Sequence, residues 1–579
     1  MEDSITAREG YLILFYIFAT IIYELWYLTA YLYWWLSSIV IPSLMIILSV
    51  FIVLRISRSN YNIKHDLLNY IPVFAVIFSA FEYPMYEFSY INVIISVLAA
   101  SFLLLIYFIV RSDYKYLFII LFIFSFNVFM FLHAVSPYGT DEISFDYYST
   151  LKILDGINPY KLIITNSVLQ RLGINPQFYT PLLTGGHVEN LSYPALAFLI
   201  FIPAVLLKFV PGIIIAVFAF FTLVMLFVFY KNRPKSYFFV AALITINPVY
   251  FLYSISGITG YVWLLLLSVS FYTFSKNNIK LSGAFYGLSL AAKQLPVYIA
   301  IPYLYIVYKR SGIKGSLYFV IFSIIGFLPE NIYFIYVSPL KYISDIISPI
   351  SEPLIGIGFG FSQVSFLNVF YIAPAYFSYI SIVTMILLSF LFILYYPDSY
   401  YWLFMIPVIV LQLNYRALFN YIIFWPILCL MLINTEPVIE GAKKLNKSNV
   451  LKLIRARYAK IFLTLFIVII IVAGLGMHSE SKNDMRINIE NEYIVNSNVS
   501  YIIVNVTGVN ITPEFRAFFG PDMYTANGVI FNETVVYKNS KYEIINLTPA
   551  YNYYLPVSKN IEIVGYYNNI QASAHLIIS

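Results

Sequence analysis

Asp141, Glu142 and Asp146 place three carboxylates within six residues, in Tyr138-Gly-Thr-Asp141-Glu142 and Asp146-Tyr-Tyr, directly after an apolar run from Tyr116 to Val135. Carboxylates beside hydrocarbon are costly, and where they occur they usually mark a substrate site or a proton-handling step. Any one of these acids alone reads as a solvated loop residue; the cluster favours chemistry. Two cations stand out for their surroundings. Lys293, in Ala291-Ala-Lys293-Gln-Leu-Pro296, and Arg416, in Gln412-Leu-Asn-Tyr-Arg416, each fall between two apolar runs. Either alone fits a side chain reaching for lipid headgroups. With the acids they supply the positive charge and donors needed where negative charge develops on a phosphate leaving group. His187 and Glu189, just before Tyr193-Pro194, add the donors for a divalent cation, although their spacing matches no metal motif and a solvated role is the simpler reading. The glycine-rich phosphate loop, His-Glu-x-x-His and Gly-x-Ser-x-Gly are all missing from the sequence.

The elements that must position these residues are membrane helices. The chain has 579 residues, 61% hydrophobic and 11% charged, with mean hydropathy +0.81, which excludes an ordinary water-soluble globule. A net charge of +6 gives no footprint for nucleic acid. Cys429 is the single cysteine, so intrachain disulfides and multi-cysteine metal sites are excluded. The start carries Glu2, Asp3, Arg8 and Glu9 with no small-residue cleavage site after it, so no removable signal peptide is expected.

Basic residues cluster at Arg55/Arg58/Lys64, Arg111/Lys115, Lys231/Arg233/Lys235, Lys276/Lys280, Lys309/Arg310/Lys314 and Lys443 to Lys460. The positive-inside rule makes these turns cytoplasmic. Spans are then expected near 11–31, 36–54, 67–81, 91–110 and 116–135, leading to an outer loop at 136–193 that holds the acids. Parity requires a single crossing within 194–230, so Pro194 to Phe209, broken by Pro203 and Pro211, is expected to lie on the outer face. Later spans are expected near 237–255, 261–275, 281–293, 295–308, 316–335, 366–396, 400–413, 417–433 and 460–477. This puts Lys293 and Arg416 on the same side as the acids.

Residues 479–579 change character. They are polar and Asn-rich, with strand-like alternations at 501–504, 529–531, 534–537 and 561–564, and they read as a small extracellular β-sandwich. Asn-x-Ser/Thr sequons start at Asn498, Asn505, Asn510, Asn532 and Asn546, with another at Asn190.

The order of short motifs resembles the GT-C superfamily of polytopic membrane glycosyltransferases, most of all the polyprenyl-phosphate-dependent, mannosyltransferase-type proteins of archaea and bacteria. An acidic motif opens the first large outer loop; Gly156-Ile-Asn-Pro159-Tyr160, Tyr193-Pro194, Asn247-Pro248 and Lys293-Gln-Leu-Pro296 follow. The resemblance spans roughly residues 116–430. It implies that Asp141 is the catalytic base with Glu142 beside it, and that Lys293 contacts the donor phosphate. The turn Gly257-Ile-Thr-Gly260 lacks the polar element usual there, and the Trp-Trp-Asp-Tyr-Gly motif of oligosaccharyltransferases is missing.

Three parts are therefore expected: N-terminal transmembrane helices at 1–115, a GT-C-like catalytic region at 116–478, and an extracellular β-rich domain at 479–579. The expected activity is inverting transfer of one sugar from a polyprenyl-phosphate carrier to a glycan, lipid or protein acceptor at the outer face of the cell membrane. Asp141 and Glu142 are the catalytic candidates; Lys293, Arg416, Asp146, His187, Glu189 and Tyr160 are the substrate-binding ones, with tyrosines beside the acids suited to stack on a sugar. A divalent cation is an open possibility as cofactor, and membrane lipids are expected partners. The rival reading is a transporter or flippase for a lipid-linked or anionic substrate.

Overall fold

The computed structural model describes residues 71–435 and 485–576, apart from residue 433, parts of 133–137, 175–186 and 353–373, and several turns of the C-terminal part, together with scattered positions before residue 71. The expected spans at 36–54 and 460–477, all but a few positions of the span at 11–31, and the basic clusters Arg55/Arg58/Lys64 and Lys443 to Lys460 lie outside the described residues. Helix dominates up to residue 435 and strand after 485. The helices used below are α1 (Tyr90–Ile109), α2 (Tyr114–Phe131), α3 (Asp141–Leu154), α4 (Gly212–Phe229), α5 (Pro234–Thr245), α6 (Pro248–Ile255), α7 (Gly260–Ser275), α8 (Ile279–Ala292), α9 (Ala300–Val337), α10 (Pro339–Ser351), α11 (Pro374–Tyr395) and α12 (Phe424–Leu432).

Among the described residues five stretches, Tyr90–Ile109, Tyr114–Phe131, Gly212–Phe229, Leu295–Val337 and Tyr376–Tyr395, have the length and apolarity of a membrane crossing. The fourth folds back on itself. Gly312 has φ +64, a conformation that costs a glycine little, and the rings of Tyr303 and Phe319 on either side of it lie 5.1 Å apart. Sixteen residues of straight helix would separate them by about 24 Å. The two spans expected near 295–308 and 316–335 are therefore the legs of a hairpin. Its second leg packs tightly on α8: a Cβ at Gly287 would sit 1.9 Å from the Ser323 carbonyl oxygen, and one at Gly283 2.4 Å from that of Phe319. Small residues four apart let helices approach in this way.

Other expected spans need correction. Residues 237–255 are not one straight helix, because α5 and α6 meet at 76°. Pro248 cannot donate to the preceding turn, and the Asn247 side chain instead accepts from Val249 N (3.0 Å) and Tyr250 N (3.3 Å), starting a new helix. Residues 400–413 hold only a short 3-10 turn, Asp398–Trp402, and the seven-residue helix Ile406–Gln412. Within 194–230 two short helices, Leu196–Leu199 and Ile202–Leu207, precede one crossing-length helix, α4.

The four basic turns among the described residues gather at one end of the bundle. Arg310 donates to the carbonyls of Phe274 (3.0 Å) and Ser275 (3.3 Å), Phe229 stacks on Phe271, Phe227 meets Tyr237 and Tyr114, and Tyr107 stacks on Phe238. Turns at 111–115, 231–235, 276–280 and 309–314 thus share a neighbourhood, and Lys293 lies at the far end of α8 from it.

The C-terminal part is an antiparallel sheet of β1 (Arg486–Val495), β2 (Asn498–Thr507), β3 (Glu514–Phe518), β4 (Val529–Lys538), β5 (Tyr542–Pro549), β6 (Leu555–Pro556), β7 (Ile561–Tyr567) and β8 (Ile570–Leu576), ordered β8-β7-β3-β4-β5-β2-β1 with β6 beside β2. Two halves are joined by a thin ladder, Arg516 with Ile530 and Ala517 with Val529, and close over one core holding Ile487, Val504, Phe515, Ile545 and Ile563. The path is a single folded sheet where two separate ones were expected. β7 alternates in the period-2 manner: Ile561 and Ile563 face that core, whereas Val564 and Tyr566 pack into the core of the helices. Of the sequons, Asn510 and Asn532 stand exposed, while Asn190 is held between Glu352 (3.4 Å) and Lys341 (3.1 Å).

Gly287→Leu drives a side chain into the Ser323 backbone and should cost at least the about 1–3 kcal/mol of an overpacked core, read as a lowered melting temperature of the purified protein. Ile313→Ala, at an exposed position of the same hairpin, should leave it unchanged.

Candidate functional site

Two loops meet back to back to build the site. Gly139 has φ +69, and Tyr138 O accepts from both Thr140 N (2.8 Å) and Gly257 N (3.1 Å). The Thr140 hydroxyl donates in turn to the Gly257 carbonyl. The backbones touch so closely that a Cβ at Gly139 would lie 2.6 Å from Gly257 N. Helix α3 starts one residue later, with Asp141 and Glu142 in its first turn, where the helix dipole favours negative charge.

Glu142 Oε1 accepts three hydrogen bonds, from Thr259 N (2.8 Å), Thr259 Oγ1 (2.6 Å) and Lys293 Nζ (2.7 Å). Both charged side chains are buried, Lys293 at 3% exposure and Glu142 at 6%. Lys293 ends α8 in extended backbone, and its ammonium also lies over the rings of Tyr193 (5.1 Å) and Tyr421 (5.5 Å). Lys293 is therefore caged, far from the snorkelling geometry that an isolated lysine between two apolar runs suggests. Glu142 is engaged in holding it. The turn Gly257-Ile-Thr-Gly260, which lacks a carboxylate, serves the site through the amide and hydroxyl of Thr259.

Asp141 is only partly exposed, and its Oδ2 accepts from Thr180 N at 2.7 Å. Burial pushes its carboxyl pKa up, opposed by the Thr180 hydrogen bonds and the Arg416 guanidinium. Among the described residues the Arg416 Nε has no hydrogen-bond partner. Asp146 lies one turn beyond Glu142, fully buried, with neither carboxylate oxygen hydrogen-bonded among the described residues. Burial, aided by the Glu142 charge and opposed by Lys293, holds its pKa well above the usual carboxylate range.

Asp141, Glu142, Lys293 and Arg416 all line one cavity of about 460 Å³, together with Thr180, Tyr193 and Tyr421 and a wall of Leu, Ile, Val and Phe side chains. The other sequence candidates stand outside that lining. Tyr160 is fully buried among Phe334 and Tyr342, where it cannot stack on a ligand in the cavity; its hydroxyl donates to Tyr193 O (2.8 Å) and so fixes the residue whose ring covers Lys293. His187 packs on Tyr179 with ring centroids 5.2 Å apart, and burial lowers its pKa. Glu189 takes part through its carbonyl, which accepts from Ile164 N (2.8 Å). Among the described residues no three His, Cys, Asp or Glu side chains converge in a way that could hold a metal ion.

Thr180 and Tyr421 were not singled out from the sequence and reach the cavity through tertiary packing. Tyr193 stood in the Tyr193-Pro194 motif and Thr259 in the Gly257-Ile-Thr-Gly260 turn, but neither was given a role there. No protein family, no curated protein and no solved structure matches this chain.

Removing one partner of a buried ion pair strands the other. Lys293→Met should therefore destabilise the protein by about 3–5 kcal/mol, and adding Glu142→Gln, which keeps an oxygen for Thr259, should recover part of that loss. A double-mutant cycle on thermal unfolding of the purified protein measures it; additive losses would show that the pair does not act as a unit.

Proposed function

We propose that this protein is an inverting membrane glycosyltransferase that moves one sugar from a polyprenyl-phosphate carrier to an acceptor hydroxyl at the outer face of the cell membrane. The observation that carries the reading is the sharing of one largely apolar-walled cavity by Asp141 and Arg416. The motif order resembling the GT-C superfamily supports it from the sequence. In this reaction the acceptor oxygen attacks the anomeric carbon, the bond from that carbon to the phosphate oxygen breaks, and the phosphate leaves with the bonding electrons. The acceptor proton passes to Asp141. Arg416, whose Nε is unpartnered among the described residues, supplies charge and donors to the departing phosphate. Lys293 keeps its place in the cavity wall but is committed to Glu142, so Arg416 becomes the first contact for the phosphate and Lys293 a supporting charge. A single inversion needs no second carboxylate, and phosphate leaves without a general acid.

Asp141→Asn should lower turnover about 10²–10⁴-fold with donor binding nearly unchanged, in a detergent assay of sugar transfer from radiolabelled polyprenyl-phosphate-sugar. Because burial raises the Asp141 pKa, its base form is lost at a higher pH than that of a free aspartate, and the wild-type rate should climb with pH through that raised pKa. Arg416→Met should weaken productive donor binding. Wild-type turnover in Asp141→Asn removes it as the base. Failure to form any product in detergent, where no gradient exists, favours the transporter reading.

The sidedness is tested separately. On a Cys429→Ser background, single cysteines at Asp155 and Ser540 should react in intact cells with a membrane-impermeant maleimide, and those at Asn277 and Ile313 should not. All four positions are exposed on the protein. The reverse pattern would put the cavity on the cytoplasmic side and end the proposal of transfer at the outer face.

A further inference from the structure

Helix α10 is polar inside and apolar outside, the reverse of a helix on a water-soluble protein. Leu340, Ile343 and Ile347 form one stripe at helical spacing and are 84%, 51% and 47% exposed. The opposite face buries Tyr342, Asp345 and Ser348, following Ser338 at the helix start. That polar face is bonded to the body of the protein. Tyr342 donates to Asn331 Oδ1 (2.8 Å), Lys341 bridges Asp345 (2.8 Å) and Asn190 (3.1 Å), Ser348 bonds the Ser192 hydroxyl (3.0 Å), and Gln294, next to Lys293, donates to the Ile346 carbonyl (3.3 Å) and to Ser192 O (2.6 Å). Ile346, Pro349 and Glu352 at the end of this segment line the cavity.

We propose that α10 is an interfacial helix seated on the lipid surface, with Leu340, Ile343 and Ile347 in the boundary between headgroups and acyl chains. Lipid is the occupant because the stripe continues a lipid-length surface. The second leg of the α9 hairpin exposes Ile324, Ile325, Ile332, Tyr333 and Tyr336, and its last turn, with Tyr336 at 87% exposure, runs through Ser338-Pro339 into Leu340. Exposed tyrosines at the end of a crossing mark the level of the interface. With 13 residues α10 is too short to cross and has the length and polarity to lie flat. The helix thus forms the membrane-side wall of the cavity, and its polar face transmits its position to Ser192 and Gln294. This inference rests on the long helices lying in a bilayer and is independent of the reaction proposed above.

The full-length protein, on the Cys429→Ser background, carries an environment-sensitive fluorophore at Ile343→Cys, at Leu340→Cys as a second reporter should the first fail to fold, or at Ile325→Cys as the reference on α9. Reconstitution uses phosphatidylcholine and phosphatidylglycerol vesicles in which the lipid bears a nitroxide either near the headgroup or near the chain end. At Ile343 the shallow nitroxide should quench roughly two-fold or more better than the deep one, aqueous iodide should quench little, and Ile325 should prefer the deep nitroxide. Iodide quenching at Ile343, or protection from both quenchers as a second copy or another segment of this chain would give, overturns the proposal even while Ile325 reports lipid. Loss of lipid quenching at Ile325 as well removes the bilayer placement and the proposal with it.

Discussion

The buried contact between Glu142 and Lys293 is the constraint on which the site depends. It joins residues 151 positions apart and brings together three chain segments: the start of α3, the Ile258-Thr259 turn and the end of α8. Taking two charges out of water is expensive, and the cost is offset only when the pair is close and its remaining hydrogen-bonding capacity is used. Thr259 and the faces of Tyr193 and Tyr421 meet that need. Once Glu142 is fixed, its chain neighbour Asp141 is fixed too, at a helix N-terminus and beside Arg416.

The charge arrangement around the cavity has a chemical consequence. Glu142 and Lys293 cancel, and burial disfavours the Asp146 anion. Asp141 and Arg416 form the second pair, interacting through space. In the proposed transfer, protonation of Asp141 would leave Arg416 with its positive charge unbalanced just as the phosphate gains negative charge. In that proposal proton uptake and leaving-group stabilisation would be coupled by the same two side chains.

Much of this was legible in the sequence, for identifiable reasons. The acids stood out because carboxylates seldom follow an apolar run so closely, and Lys293 and Arg416 because they broke the pattern of basic turns. The hairpin at Gly312 was legible from Lys309, Arg310 and Lys314 between two apolar stretches. The β-rich part was legible from its alternation, although its folding into one continuous sheet depends on the Arg516 to Ile530 pairing, which alternation does not encode. The partner of Lys293 was not legible, since nothing local links it to Glu142. The break at Asn247-Pro248 carried a local signal that was outweighed by the apolar length of 237–255. Gly283 and Gly287 likewise had helical spacing, but which helix they would meet is a property of the folded chain.

The seating of β7 against the helices reaches beyond architecture into biogenesis. Val564 and Tyr566 belong to the same packed core as Leu223, Trp263 and Trp425, and Tyr566 lies within electrostatic reach of Tyr415 at the cavity. A core that incorporates residues from so late in the chain cannot close while that part is still on the ribosome. The helices can form in order of synthesis, yet the neighbourhood of Tyr415 is completed only when the strand carrying Val564 and Tyr566 has been translated and folded against them. Maturation of the cavity is therefore a post-translational event.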